Sequence, residues 1–224
     1  MDTIEIGLLM KAFNIYLEHI HSSIYKGLTM HKFEQIDPST ASAETKEAFN
    51  EATAQFGGVI NLFKVIGCAP NVLKGILALN KEVCSSTELD SKTIEQVAML
   101  TSALNRCDYC VNVHMKVGEA AGISREDLIL AMQGKAKDAK TQALLNYTNE
   151  VVRNRGLVCS ETLQAAQNAG FSNKALLETI GVIGIYTTLQ YIRHVADPEH
   201  DFPTVSEFNL DLYGVDDGAF FKAL

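Results

Sequence analysis

The sequence has no tryptophan, few prolines and no apolar run long enough to span a bilayer. Only four of its 224 residues are proline, which leaves little room for long structureless linkers. The most apolar run, from Ile180 to Ile192, contains Tyr186 and Gln190 and is shorter than a membrane-spanning helix needs to be. These shortages predict a protein that does not enter a membrane and has most of its chain in ordered elements.

Basic residues are also in the minority. Lys and Arg number 19 against 27 Asp and Glu, which gives a formal net charge of −8. A chain of this charge repels a phosphate backbone, and the sequence has no dense Lys/Arg cluster that would bind one locally. We therefore expect no nucleic-acid partner.

The features of an exported protein are lacking as well. Asp2 and Glu5 stand where a secretory signal carries basic residues. Five cysteines are an odd number for a chain of this size, which is atypical of a secreted disulfide framework. These features predict a cytoplasmic protein whose cysteines serve as packing residues, metal ligands or reactive thiols.

What the sequence does contain is helical periodicity. With 47% hydrophobic residues, the chain can form one compact domain with a substantial core. Apolar residues recur three and four positions apart, and no long stretch alternates as a strand would. We predict an all-α protein with a helical extension and connector over residues 1–41, a helical domain over residues 42–203 and a C-terminal tail over residues 204–224.

Capping residues and apolar stripes predict where the helices lie. Helix starts are predicted at Ser42, Pro70, Ser91, Cys107 and Ser124. The first of these helices should bury Phe49, Ala52 and Phe56 and stop at Gly57. The last long helix is predicted from an apolar stripe at helical spacing: Leu177, Ile180, Gly184, Ile185, Thr188 and Ile192.

One cluster in the middle of the chain points to chemistry. Cys107 and Cys110 form a Cys-x-x-Cys pair, and His114 follows four residues later. From composition alone, roughly 0.003 such clusters are expected in a chain of this kind. If a helix begins near Cys107, the two sulfurs and the imidazole share one face, with a thiol at the positive end of the helix dipole. The sulfurs can then come within disulfide reach.

Thiol chemistry requires an activated sulfur. A free thiol with a pKa of about 8.5 is mostly protonated at neutral pH, and the thiolate is the nucleophile. Lowering that pKa by about two units corresponds to roughly 2.7 kcal/mol, which a helix N-terminus and an imidazolium could supply. We therefore expect the surroundings of Cys110 to lower its pKa, with His114 in hydrogen-bonding distance directly or through water. Glu95, on the preceding helix, is the candidate to orient His114 or pass a proton.

The spacing Glu95, eleven residues, Cys-x-x-Cys, three residues, His114 resembles the active-site signature of alkylhydroperoxidase D (AhpD) and its relatives. These proteins belong to the carboxymuconolactone decarboxylase-like superfamily. Residues 56–63, the helix at Pro70 and Gly118-x-x-x-Gly122 resemble its peroxidase-related branch. The resemblance covers about residues 50–200, with Gly170-Phe171 and Asp201-Phe202-Pro203 similar to the family's second half.

This resemblance implies an all-α fold with the Cys-x-x-Cys motif at a helix N-terminus. It implies that Cys110 is the peroxidatic thiol, that Cys107 is the resolving thiol, and that Glu95 and His114 form a proton relay. No bound cofactor is implied; the partners would be a hydroperoxide and an external dithiol such as dihydrolipoamide or thioredoxin, or its carrier protein. A homo-oligomer is also implied. Tyr109 departs from the signature, where AhpD has histidine, and could be an aperture residue or ordinary packing.

Three other readings of the cluster stay open. A structural zinc site could recruit Cys107, Cys110, His114 and Glu95. A second reading is lactone decarboxylation, against which the cysteine pair argues because the decarboxylase branch typically lacks it. A third is a non-catalytic redox sensor or binding protein, in which the disulfide switches a partner surface. Outside the cluster, the cysteines are predicted to be small apolar core residues: Cys68, Cys84 and Cys159.

Overall fold

The computed structural model describes residues 32–85 and 88–209. These ranges contain helices joined by turns and no strand, which confirms the predicted all-α class. In chain order the helices are α1 Ala43–Phe56, α2 Asn61–Ile66, α3 Pro70–Cys84, α4 Ser91–Leu104, α5 Asp108–Ala120, α6 Arg125–Met132, α7 Ala139–Arg153, α8 Ser160–Asn168 and α9 Asn173–Ala196. The predicted N-terminal helix lies outside the described residues, as does most of the predicted C-terminal tail.

Local side chains fix where most of these helices begin. Ser42 and Ser124 each accept the backbone N–H of the residue three positions on, as the sequence predicts. Helix α3 begins at Pro70, also as predicted. The predicted cap Ser91 is instead the first residue of α4. The cap is Asp90, because its carboxylate already accepts the N–H of the third residue along at 2.8 Å.

Helix α4 lies at the centre of the domain. It packs against α5, α6, α7 and α9, and nearly every residue from Ile94 to Ala103 is buried. Val97 belongs to one apolar cluster and Met99 to a second. Truncating a buried core leucine such as Leu100 to alanine lowers the free energy of unfolding by about 2–5 kcal/mol. Helix α4 is therefore a rigid support for Glu95, which it carries.

Helix α9 is apolar on more than one face. By length and composition alone it could cross a membrane, yet half of its most apolar window is buried inside the protein, against α3, α4 and α7. The helix is present as predicted, but its apolar stripe is only partly the packed face: Ile185 is buried, whereas Leu177 is 68% exposed and Ile180 is 41% exposed. Leu176, Val182 and Tyr186 are among the residues that pack instead. Apolar spacing could not identify the packed face because apolar residues occur on both.

Two smaller differences concern α1 and the shortest helices. Helix α1 buries Phe49 and Ala52 and ends at Gly57, as predicted. Phe56 is wrongly predicted as buried: it is 45% exposed, on the last turn, and its ring stacks 5.4 Å from that of Phe63. The periodicity does not predict α2 and α8, because helices of six and nine residues are too short to show a full apolar pattern.

Two glycines let α5 and α6 pack closely. A Cβ on Gly118 would lie 2.5 Å from Leu128 Cδ2, so an alanine there would force the leucine to move. Gly122 has a φ of 83°, the left-handed conformation that glycine adopts most easily. The glycine motif noted in the sequence thus sets the angle at which α5 turns into α6.

Candidate active site

A tight turn between α4 and α5 positions Cys107. Arg106 has a φ of 58°, which is uncommon for a residue with a side chain. This conformation lets the Cys107 N–H donate to the Ser102 carbonyl at 2.9 Å and closes the end of α4. Asp108 then begins α5. The cysteine pair is therefore attached directly to the most buried helix of the domain.

Buried polar side chains fasten this turn to α9. Asn105 Nδ2 donates to Gln190 Oε1 at 2.6 Å and to Thr187 Oγ1 at 3.1 Å. Gln190 is fully buried, and its Nε2 donates to Ser102 Oγ at 3.0 Å. His194 Nε2 donates to the Asn105 carbonyl at 2.8 Å. Because its members satisfy one another, this network stabilises one geometry of the turn that carries the cysteines.

Cys107 is the N-cap of α5, which confirms that the cysteine motif stands at a helix start. Its Sγ accepts the backbone N–H of Cys110 at 3.3 Å. Cys107 has no exposed surface, whereas Cys110 retains 6%. Both are free thiols. A small molecule that enters the site can therefore reach Cys110 before it reaches Cys107.

The expected lowering of the Cys110 pKa is wrong for the reduced site. Burial has the largest effect and raises the pKa of the Cys110 thiol well above its ordinary value, and the hydrogen bond to Cys107 and the electrostatic interaction with it raise it further. The Arg193 guanidinium acts in the opposite direction and lowers it. Cys107, and not Cys110, occupies the cap position of α5.

Glu95 and His114 meet in the interior between α4 and α5. His114 Nδ1 donates to Glu95 Oε2 at 2.8 Å, and their side chains are 10% exposed or less. The edge of the His114 ring contacts Tyr186, with centroids 4.4 Å apart and planes at 86°. The contact expected between Glu95 and His114 is present, and Tyr186 fixes the plane of the imidazole. Their part in proton transfer stays a prediction.

The imidazole and the thiol are not in direct hydrogen-bond contact. Among the described residues no hydrogen bond joins His114 to Cys110, so the direct form of the expected contact is absent. Since Nδ1 is used by Glu95, His114 has Nε2 left for exchanging a proton. Tyr186 lies beside the imidazole, and burial, followed by the negative charge of Glu95, raises its pKa.

Tyr109 packs inside the domain and is not an aperture residue. It is 1% exposed, and its hydroxyl donates to the Asp201 carboxylate and accepts the Leu62 N–H at 3.2 Å. Burial, and then the hydrogen bond to Asp201, raise the pKa of Tyr109. Asp201 also accepts the Asn61 N–H at 3.1 Å and so caps α2. Tyr109 therefore ties α5 to α2 and to the segment that follows α9.

The structure places charged residues beside the cysteine pair that the sequence-based prediction of the site did not include. Arg193 is 8% exposed, and its Nη2 lies 3.0 Å from Asp108 Oδ1. Asp108 Oδ2 in turn lies 3.7 Å from His200 Nε2. Asn112 links the same region to the chain after α9, donating to His200 Nδ1 at 2.9 Å and accepting the Val205 N–H at 2.8 Å. The sequence could have indicated Arg193, because it lies in the apolar second half of α9 and a charge buried there requires a partner.

The other cysteines differ from their prediction. Cys68 and Cys159 are exposed and not core residues, while Cys84 is partly buried. Cys159 Sγ accepts the Thr162 N–H at 3.4 Å and caps α8, a role that apolar character does not predict. Within the described residues, no group of three or more His, Cys, Asp or Glu side chains is arranged to hold a metal ion. The zinc alternative therefore has no ligand set in that part of the chain.

The described chain has the fold of the AhpD-like proteins. A peroxidase-related protein from Ralstonia eutropha JMP134 with the AhpD core is 16% identical, with a TM-score of 0.65 over 84% of this chain and 98% of its own. A peroxidase-related protein from Silicibacter sp. TM1040 is 16% identical, with a TM-score of 0.64 over 81% and 92%. The debrominase Bmp8 is 16% identical, with a TM-score of 0.63 over 80% and 96%. Identities this low show a common fold and leave activity open.

Part of the sequence also matches a known family. Residues 70–154, which span α3 to α7 and include the four candidate site residues, match the carboxymuconolactone decarboxylase family. No curated protein matches the sequence significantly. The family match covers less than half of the 224 residues, and there the chain is similar to that family, while the described residues share the AhpD-like fold that the motifs predict.

Proposed function

We propose that this chain is an AhpD-type peroxidase that reduces hydroperoxides through Cys107 and Cys110. The observation that carries the proposal is a slightly accessible thiol, Cys110, next to an enclosed second thiol and one helical turn before the imidazole of a buried Glu95–His114 pair. The fold supports it, since peroxidase-related proteins share that fold.

In the proposed cycle, Cys110 gives its proton to His114 Nε2, and its thiolate attacks one oxygen of the peroxide. The O–O bond breaks, a sulfenic acid forms on Cys110, and the proton passes to the departing alkoxide, which leaves as an alcohol. Cys107 then attacks the sulfenic sulfur, which forms the disulfide and releases water. An external dithiol such as dihydrolipoamide or thioredoxin returns two electrons and two protons and is itself oxidised to a disulfide.

In this mechanism Cys110 loses its proton during the reaction and keeps it in the resting, reduced site. Burial raises the pKa of Cys110, so the reduced enzyme holds a protonated thiol. We infer that the peroxide, or a water that accompanies it, bridges Cys110 and His114 Nε2. Glu95 accepts from Nδ1 and so stabilises the imidazolium that forms when His114 takes the proton. This arrangement delays ionisation until a substrate is present.

The family match keeps lactone decarboxylation as the second candidate. That reaction needs no thiol pair, so the two candidates differ in their dependence on cysteine. The fold also serves a debrominase, Bmp8, which shows that the scaffold alone does not set the substrate. A redox sensor would differ from both candidates because it would be oxidised once and would not turn over.

Steady-state hydroperoxide consumption with dihydrolipoamide or thioredoxin tests the proposal. Wild type and Cys159→Ser should turn over alike, whereas Cys107→Ser and Cys110→Ser should not sustain turnover. Turnover that survives the Cys110→Ser substitution would refute the mechanism. Consumption of carboxymuconolactone, unchanged in both cysteine variants, would support the decarboxylase. A single stoichiometric oxidation would support the sensor. The homo-oligomer, the carrier protein of the dithiol and the cytoplasmic location remain predictions.

A further inference from the structure

An ion pair between buried Arg193 and partly exposed Asp108 lies at the start of α5, next to the cysteine pair. The Arg193 side chain is 10% exposed, with Nη2 3.0 Å from Asp108 Oδ1 and 3.6 Å from Asp197 Oδ1. Asp108 directly follows Cys107 and is the first residue of α5. Desolvating the Arg193 guanidinium is unfavourable, and an ion pair with one buried and one partly exposed partner contributes little net stability compared with apolar packing. Its position beside the thiols therefore suggests a role other than stability.

The two charges act on Cys110 with opposite signs. The Arg193 guanidinium favours a negative charge on the sulfur, whereas the Asp108 carboxylate disfavours it. The Asp108 side chain is held in place, because its Oδ1 also accepts the Tyr109 N–H at 2.7 Å. Arg193 Nε is buried and has no hydrogen-bond partner among the described residues. An unpaired buried donor is unfavourable, so this nitrogen is available to stabilise a negative charge that develops during the reaction.

We propose that Arg193 is a positioning residue that stabilises negative charge on Cys110, and that Asp108 limits this effect by pairing with it. The ion pair thus sets how readily Cys110 reacts with an electrophile, whether a peroxide or an alkylating agent. This inference deepens the proposed function, and it rests on that function only in taking Cys110 as the reacting thiol.

Other titratable groups surround Cys110 and stay unchanged in the test. They interact with Cys110 or with the side chains beside it: Cys107, Tyr109 and His114 at α5, Glu95 on α4, Cys84 on α3, Tyr186 on α9 and His200 beyond it. Only the sign of the removed charge differs between the two variants that follow.

The test uses Arg193→Met and Asp108→Asn in the full-length reduced protein. Both variants break the same ion pair, so a purely structural role would change both in the same direction. We measure the rate of Cys110 alkylation by iodoacetamide across pH, from the mass of the peptide that carries Cys110. Arg193→Met should slow alkylation about tenfold at a fixed pH, because it should shift the profile of rate against pH to higher pH by about one unit. Asp108→Asn should accelerate alkylation and shift the same profile to lower pH. Arg193→Lys should restore part of the rate that Arg193→Met loses.

Two controls keep the test specific. Cys159, alkylated in the same sample, reports reagent and pH effects at an exposed thiol. Arg125→Met removes a half-exposed arginine that pairs with Glu207 at 2.9 Å, and it should leave the Cys110 rate unchanged. Should Arg193→Met fail to fold, Asp108→Asn decides alone: faster alkylation supports the proposal, and an equal or slower rate overturns it.

The outcomes separate this inference from the peroxidase proposal. Opposite shifts in the two variants support the ion pair even if wild type consumes no hydroperoxide, in which case only the proposed function fails. Shifts in the same direction, or no shift in either variant, overturn the role of Arg193 even if wild type is an active peroxidase.

Discussion

Two cysteines cap helices in this chain with nearly the same local geometry. Cys107 Sγ accepts the N–H of Cys110 at 3.3 Å, and Cys159 Sγ accepts the N–H of Thr162 at 3.4 Å. Cys107 is fully buried, whereas Cys159 is exposed. The residue three positions on is a second thiol in one case and a hydroxyl in the other. The same local motif therefore occurs in two different environments, and the difference comes from what packs around it.

The residues around Cys159 are near it in sequence, whereas those that hold the Cys107 turn are far away in sequence. Cys159 interacts with neighbours, since its backbone N–H donates to Glu150 and its Sγ contacts Thr162 Oγ1 at 3.2 Å. The Cys107 turn is held by α9 through Gln190, and Arg193 stands beside Asp108. Long-range contacts thus turn a common local motif into a candidate active site.

The largest expected effect comes from exchanging the sulfur itself. Cys110→Ser should lower hydroperoxide turnover by at least about 10³-fold, because loss of a nucleophile removes the covalent step. Cys159→Ser should leave turnover unchanged, since serine also caps a helix. Turnover is measured with a dithiol in excess. Equal activity in the two variants would mean that the buried cysteine pair is no more important for turnover than the exposed Cys159.

The next effect concerns the proposed proton relay of Glu95 and His114. The Cys159 cap has a glutamate beside it, Glu150, as its counterpart for a control. Glu95→Gln and His114→Gln should each reduce turnover by about 10²–10⁴-fold, the usual contribution of general acid–base catalysis. Glutamine can still pair with the partner group, so the fold should persist, as circular dichroism can verify. Glu150→Gln, at the exposed cap, serves as the control and should keep full activity. Full turnover in the Glu95 and His114 variants would remove the relay from the mechanism.

A smaller effect is expected on stability. Gln190→Ala leaves Asn105 Nδ2 and Ser102 Oγ with fewer partners, and should reduce the free energy of unfolding by about 1–3 kcal/mol. Thr188→Ala, an exposed change on the same helix, should stay within about 0.5 kcal/mol. Denaturant titration measures both. If the two variants lose equal stability, the buried network does not fasten the cysteine turn.

The smallest effect is the pH dependence of stability. Burial raises the pKa of Cys110 in the folded, reduced protein. The folded state therefore keeps this proton while the unfolded chain releases it above about pH 8.5, and the stabilisation is lost as pH rises. Relative to Cys110→Ser, the wild-type free energy of unfolding should fall by up to about 1.4 kcal/mol per pH unit above that point. Cys159→Ser should follow wild type, and a rising wild-type curve would contradict the sign.

Local features of this structure could be predicted from sequence, and long-range ones could not. The Ser42 and Ser124 caps depend on residues three positions apart, so the sequence contains the whole signal. The start of α5 and the contact between Glu95 and His114 follow from helical spacing and the family signature.

The errors arise where distant segments decide the environment. The raised pKa of Cys110 depends on burial by helices far along the chain, which spacing does not encode. Helix α9 has apolar residues on both faces, so its buried face could not be chosen in advance. Arg193 joins the site only because α9 packs against α4 and brings it to Asp108.

Mass spectrometry of the reduced protein after one equivalent of hydroperoxide tests the central claim most directly. Wild type is expected to lose two hydrogens as a Cys107–Cys110 disulfide, and Cys107→Ser is expected to gain one oxygen at Cys110. Oxidation that begins at Cys159 or at another exposed thiol, with Cys110 unmodified, would contradict it.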